Sequence, residues 1–362
     1  MKYKLRKSRA FTLIELMVAL GIMVIVILFA SEIFKVSIDS HRTALANAEI
    51  MQKLRAITGQ LDSDFSGLDK DGEIFAVWKA VPLQNNKYVD NDFDGYERFD
   101  RIMFFASGDF QADLSSAWTI PYENDRIRGN VARICYMIAK DGTTSPEAID
   151  KSRRILARSQ HILTDNPDLA KNFDPNSFTP QQWFEWNNYY QYDKISLEEW
   201  KRIPLVTKLD MLSVICDTRV IAEGIPQNSN ISEDVKGVSI DKEDPNSMHM
   251  LLCDGVGEFK IQGWDDEHKV WLPEVDPNGD GNLSDTNFFM DDSNNVPGVI
   301  YSPPFCSVAM NNVSYQSIQA DRDHFNMIPG LGRALKFTFT LFDSKGIIKG
   351  GRTFTHIVYL DR

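Results

Sequence analysis

Phe11-Thr12-Leu13-Ile14-Glu15-Leu16-Met17-Val18-Ala19-Leu20-Gly21-Ile22-Met23-Val24-Ile25-Val26-Ile27-Leu28-Phe29-Ala30 is apolar at every position except Thr12 and Glu15. It has the length, about 20 residues, that a helix needs to cross the hydrocarbon of a bilayer. Ahead of it, Met1 to Ala10 carries Lys2, Lys4, Arg6, Lys7 and Arg9 and no acid. Such a leader holds the N-terminus in the cytoplasm and sends the chain beyond the span to the other side. An ordinary secretory signal is cut after its apolar run, between small residues, and Val26 to Phe29 offers no such place. Glu15 is the anomaly. A carboxylate within a span is costly and by default functional, provided a partner can be named. A cut between Ala10 and Phe11 supplies one: a new α-ammonium at Phe11, on the same helix end and within reach of a neighbouring subunit's glutamate.

Downstream, Leu45, Ala48, Met51, Leu54, Ile57, Leu61, Phe65 and Leu68 recur every three or four positions, which predicts one helix face. The first proline after them is Pro82. Residues 11–30 as a transmembrane helix and 31–70 as its amphipathic continuation therefore predict one rod of roughly 80 Å. From residue 71 to 362 the pattern changes. Ile102-Met-Phe-Phe-Ala106, Val131-Ala-Arg-Ile-Cys-Tyr-Met-Ile-Ala139, Arg154-Ile-Leu-Ala-Arg158, Leu335-Lys-Phe-Thr-Phe-Thr-Leu-Phe342 and Phe354-Thr-His-Ile-Val-Tyr-Leu360 read as strands. The expected fold class is α+β, with an antiparallel sheet head packed on the long helix.

Charge and composition narrow the function classes. The chain is formally −12, and without the five leader cations the remainder is −17; such a surface repels phosphate backbones, so no nucleic-acid partner is expected. Cys135, Cys216, Cys253 and Cys306 are far apart and lack Cys-x-x-Cys spacing. They read as buried small side chains, and their even number also permits disulfides in an oxidising compartment. Gly-x-Ser-x-Gly, phosphate-loop and His-Glu-x-x-His patterns are all missing from the sequence, and the six histidines are dispersed, so no enzyme is expected.

The basic leader followed by Phe11-Thr12-Leu13-Ile14-Glu15 resembles the type IV prepilin signature. That resemblance implies cleavage between Ala10 and Phe11 by a prepilin peptidase/methyltransferase and N-methylation of Phe11. It also implies a single-pass place in the inner membrane with a periplasmic head, and assembly through Glu15 with other minor and major pseudopilins or pilins. Ala10 departs from the glycine usual before the cut. Along the head, Leu61-Asp-Ser-Asp-Phe65, Arg133-Ile-Cys-Tyr136, Arg154 to Arg158, Leu251-Leu-Cys-Asp-Gly-Val-Gly-Glu-Phe259, Trp271 and Pro329-Gly-Leu-Gly-Arg-Ala-Leu-Lys-Phe-Thr-Phe-Thr-Leu341 come in an order similar to the J-type minor pseudopilin of type II secretion. The resemblance implies a subunit of the pseudopilus tip supporting protein export. The alternative is a W-like minor pilin of a type IV pilus or DNA-uptake filament. A third class, an anchored sugar-binding or hydrolytic protein, would need the aromatic stretch Gln181 to Tyr192 to bind glycans. That stretch lies in an insertion at about 161–249, beyond the family's usual length, and reads better as the core of a small subdomain.

Two acidic loops suggest Ca2+. Asp276, Asn278, Asp280 and Asn282 alternate, with Gly281 at the sixth position where an EF-hand loop turns sharply. The twelfth position is Asn287 rather than a bidentate glutamate, so Asp285, Asp291 or Asp292 would complete the shell. Asp90, Asp92 and Asp94, followed by Gly95 and Tyr96, repeat the spacing, with Glu97 or Asp100 to close it. Carboxylates this close repel one another without a cation, although acidic turns and solvated hairpin loops share the composition. If the loops hold calcium, a chelator lowers the melting temperature of the head, residues 40–362; an unchanged melting curve with no bound metal removes the proposal.

Overall fold

The computed structural model describes residues 12–69, 74–77, 80–82, 96–113, 126–142, 144–164, 178–203, 207–208, 211, 214–215, 237–244, 247–265, 269–272, 290–291, 296–297 and 333–360. One helix, α1 (Leu13–Ser66), runs for 54 residues. It ends at Gly67, whose carbonyl accepts the Ser107 N–H at 2.6 Å. A Cβ at Gly67 would lie 2.3 Å from the Ser107 carbonyl oxygen, so only glycine lets the strand approach this closely.

The two halves of α1 have different surroundings. Every large apolar side chain from Leu13 to Ile38 is more than half exposed, and Ala46 is the first buried residue of the helix. Ile50, Ile57, Leu61, Asp64 and Phe65 are buried, with Leu54 and Leu68 packed beside them. The expected stripe is thus corrected at its start: Leu45 and Met51 are 54% and 41% exposed, and Ala48 is exposed too. Three residues advance a helix about 300°, and each such step falls about 60° short of a full turn. Leu45, Ala48 and Met51 therefore wind away from the face set by Ile57, Leu61 and Phe65, and Ala46 and Ile50 take their place.

Among the described residues the head has two sheets of more than two strands. The first has the order β1 (Phe75–Val77), β2 (Arg101–Asp113), β3 (Arg126–Ile138), β4 (Ile155–Leu163), β6 (Leu251–Asp254), all antiparallel; β5 (Tyr192–Asp193) adds to β4 in parallel. The second runs β8 (Val270–Leu272), β7 (Val256–Asp265), β9 (Ala334–Leu341), β10 (Arg352–Tyr359), also antiparallel. Gly255, at φ +69, turns the chain from β6 into β7, and Arg154 ties the sheets by donating to the Gly257 carbonyl at 2.6 Å. The result is an α+β fold in which a curled, mostly antiparallel sheet follows the long helix.

Alternation splits the core in two. Ile102, Phe104, Ala106, Ile134, Tyr136 and Leu156 face α1 and the inner side of the second sheet, against Phe259, Phe337 and Phe339. Met103, Phe105, Cys135, Met137 and Ala157 point the other way. The region after β4 covers that second face with α2 (Pro180–Tyr189) and α3 (Leu197–Arg202). Trp183, Trp186, Tyr190, Tyr192 and Trp200 are all buried there, and Trp186 stacks on Tyr190 at 4.3 Å. The aromatic stretch is a core. Cys135 and Cys253 are buried, and burial pushes the Cys253 thiol up to about 12; Cys216 and Cys306 lie outside the described residues.

A buried charge pair joins the two layers. Arg133 of β3 donates from Nε to Asp193 Oδ2 at 2.8 Å, and the other oxygen meets His161 Nδ1 at 2.9 Å and Trp186 Nε1 at 3.0 Å. Burial favours the neutral form of Asp193, but the Arg133 guanidinium and His161 outweigh it and hold the carboxyl well below the usual carboxylate range. The carboxylate's stabilising contribution is therefore complete above the unfolded value of about 3.9 and is lost as pH falls through the depressed native one. Asp193→Ala leaves Arg133 buried without its carboxylate and is expected to cost about 3–5 kcal/mol, read as a lower denaturation midpoint at neutral pH.

Candidate functional site

The candidate site is the free half of α1 with the device at its start. Among the described residues, α1 is the one helix long and apolar enough to cross a membrane, and none of its most apolar stretch is buried. Thr12 is the N-cap, in extended backbone at φ −80 and ψ 151. Its hydroxyl accepts the Glu15 N–H at 3.3 Å, while the Thr12 N–H and hydroxyl donate to Glu15 Oε2 at 2.9 and 3.0 Å. This is a reciprocal capping box, in which two orphan donors of the first turn are satisfied.

Glu15 thus has a task within its own chain as well as the intersubunit one expected of it. The two are compatible, because an ionised carboxylate accepts about four hydrogen bonds and the cap uses only Oε2. Capping fixes the side chain against the helix start, next to the place where a new amino group would form. Ala10 and Phe11 lie outside the described residues.

Residues 5–31 match the prokaryotic N-terminal methylation motif. This is the prepilin signature of type IV pilin-like and pseudopilin proteins, and it implies processing by a prepilin peptidase and assembly with other pilins. With the single apolar helix it points to membrane anchoring. The signature belongs to a structural rather than a catalytic type of protein. Comparison of the chain with curated proteins and with solved structures found no match.

The other half of α1 is fastened to the head by polar contacts. Glu49 accepts the Ser344 N–H at 2.8 Å, and Lys53 donates to the Phe342 carbonyl at 3.0 Å and pairs with Asp254 at 3.2 Å. Asp62 meets His356 Nε2 at 2.9 Å, so His356 is a structural anchor. Buried Asp64 receives Arg158 Nε and Nη2 at 2.6 and 2.7 Å, Gln60 at 3.0 Å and the Tyr136 hydroxyl. Burial first, and the Asp64 charge next, raise the Tyr136 phenol well above its ordinary value, which keeps it protonated as a donor. The Leu61-Asp-Ser-Asp-Phe65 segment thus carries two anchors that sequence spacing left unassigned, because their partners lie tens to hundreds of positions away.

Of the calcium residues, Asp276, Asn278, Asp280, Asn282, Asp285, Asp90, Asp92 and Asp94 lie outside the described residues. Tyr96 opens a short strand paired with Ala80–Pro82. Asp100 does not complete a cation shell: its carboxylate binds Arg98 Nε at 2.9 Å and accepts the Ile261 N–H at 2.7 Å, fully buried. Among the described residues no group of three or more His, Cys, Asp or Glu side chains is placed to hold a metal ion. Replacing the cap tests the geometry of the first turn: Thr12→Ala should speed amide exchange at residues 13–16 while leaving residues 46–66 unchanged.

Proposed function

We propose that this chain is a minor pseudopilin of a type II secretion system, a subunit near the tip of the pseudopilus that supports protein export across the outer membrane. One observation carries the reading: the methylation motif opens a helix whose stretch 13–29, apolar except for Glu15, is exposed. Such a surface is at home in lipid before assembly and against other subunits' helices after it. The order of head segments from Arg133 through Phe259 and Trp271 to Leu341 supports the J-type assignment.

In this reading the leader is cut between Ala10 and Phe11, and Phe11 becomes an N-methylated cation. A carboxylate in hydrocarbon is costly, so Glu15 draws in a neighbouring Phe11 ammonium and thereby sets the axial register of the incoming subunit. The cap from Thr12 holds the carboxylate in place for that contact. The head lies in the periplasm, where calcium in the loops at Asp90–Asp94 and Asp276–Asp285 would brace it.

A strain lacking the gene tests the assignment. Lost exoproteins with normal surface pili are the expected result; lost pili with normal secretion would move the chain to a type IV pilus or DNA-uptake filament. Glu15→Ala is expected to leave insertion and cleavage intact and to reduce incorporation into filaments, measured by shearing and immunoblotting. Normal incorporation would refute the charge pairing.

A further inference from the structure

Among the described residues β10 is paired on one side only. It bonds β9 from Ala334–Tyr359 to Leu341–Arg352 without a shift of register. The Leu360 N–H donates to the Arg333 carbonyl at 2.8 Å, which sets the phase of the ladder. Antiparallel partners alternate between hydrogen-bonded and non-hydrogen-bonded pairs, so Phe354, His356 and Val358 spend their backbone groups on β9. Those of Thr353, Thr355, Ile357 and Tyr359 point to the open side, where no described residue meets them. The two threonine hydroxyls are turned back, to Thr340 at 2.9 Å and to Thr338 at 3.4 Å. All four residues are exposed, Tyr359 at 60%.

Proteins ordinarily blunt such an edge with a short strand, a bulge, a proline or a lysine. From Thr353 to Tyr359, β10 has none of these. Apart from His356, which Asp62 holds, every residue of Thr-Phe-Thr-His-Ile-Val-Tyr is β-branched or aromatic, the composition that favours a pleated strand. The opposite edge of the same sheet, β8, is three residues long. A free row of N–H and C=O groups on a strand of this kind fits one class of ligand, an extended chain that adds as a further strand.

The path of β10 beside α1 decides which chain. Lys53 reaches the Phe342 carbonyl, next to the Leu341–Arg352 pair, and Asp62 reaches His356. From Lys53 to Asp62 the helix rises about 14 Å, and from Arg352 to His356 the strand advances about 13 Å. β10 therefore runs along α1, away from its apolar end. Two copies joined through their β10 edges would be related by a two-fold axis, with the strands antiparallel and the two rods reversed. Their apolar ends would then point in opposite directions, which two subunits anchored in one membrane cannot do. Pairing β10 of one copy with the short β8 of the next leaves most of the row unmet.

We propose that the open edge of β10 accepts an extended strand from a different chain, a neighbouring subunit anchored in the same membrane. The fitting segment is uncharged, free of proline and rich in β-branched or aromatic residues over about seven positions, the reach of Thr353 to Tyr359. This choice of partner rests on the membrane-anchoring and assembly reading; the open edge itself does not.

The test follows amide exchange residue by residue on the full chain, first purified in detergent at one copy per micelle and then in sheared filaments that contain it. In the purified chain Thr353, Thr355, Ile357 and Tyr359 are expected to exchange many-fold faster than Phe354, His356 and Val358. In filaments all of them should be slow. Ile357→Pro removes an N–H that β9 does not use, a place where an edge strand tolerates proline. Exchange at Phe354, His356 and residues 46–66 should then stay as in the wild type while incorporation into filaments falls several-fold; if the variant is misfolded, the wild-type comparison decides. Fast exchange at the four outward positions in filaments that contain the chain overturns the strand addition and leaves assembly standing. A chain that inserts in the membrane but never enters filaments overturns both. Slow exchange at those positions in the purified chain refutes the open edge, and protection that appears only on concentrating the purified chain assigns the edge to a second copy and equally overturns the proposal.

Discussion

One uninterrupted helix has to satisfy two solvents, and the rest of the chain is arranged around that requirement. From Leu13 to Phe29 the side chains of α1 are apolar except for Glu15 and are exposed, as lipid demands of a surface with nothing else to cover it. From Ala46 onward one face is closed over by the head. Backbone hydrogen bonds run unbroken through the change, so the switch is made by side chains alone. The second half could have docked by apolar contact only, but charged side chains at Glu49, Lys53, Asp62 and Asp64 each bind the head as well. Such contacts are directional. They fix the rotation and height of the helix against the sheet, which greasy contact leaves free to slide.

The sheet carries a comparable constraint. In β2, Ile102 to Ala106 is apolar at five successive positions, so both faces of the strand need cover. The helix and second sheet take one face, and α2, α3 and their aromatic side chains take the other. The insertion after β4 is therefore part of the head's core. Arg133 enforces the docking: its guanidinium emerges on the insertion side, completely buried, and Asp193 is the carboxylate that neutralises it. Apolar area supplies most of the adhesion, and the ion pair, costly to desolvate, specifies where the insertion sits.

Legibility in the sequence depends on the range of each interaction. The apolar helix, the strands at Ile102, Val131, Leu335 and Phe354 and the α+β class all depend on neighbours a few positions apart, and each was legible; the Thr12–Glu15 cap is just as local but was not read. Leu45, Ala48 and Met51 misled because a spacing of three, repeated, leaves a helix face by accumulation even though each step looks helical. Asp100 misled for another reason: beside an acidic loop it resembles a spare ligand, and although Arg98 is only two positions away, only the fold buries the pair and brings the Ile261 N–H to it. The Arg133–Asp193–His161 and Asp64–Tyr136–Arg158 groups combine residues from separate elements, and no local pattern marks them.

These groups also bear on how a head could be carried by its helix. Force applied along α1 enters the sheets where the helix is bonded to them, and the bonds are spread over more than four turns, from Glu49 to Asp64. At the lower end the contacts are partly exposed: Glu49, Lys53 and Asp254 exchange readily with water and are weakened by salt. At the upper end Asp64 is buried, with Arg158, Tyr136 and Gln60 all directed at it, and leaving any of those donors unmatched in the core is expensive. The junction is therefore strongest deep in the head and softest next to the free helix. A subunit built this way can adjust the angle at which its rod leaves the head while the fold above Asp64 stays intact, a useful property for a helix that must first lie in lipid and then among other helices.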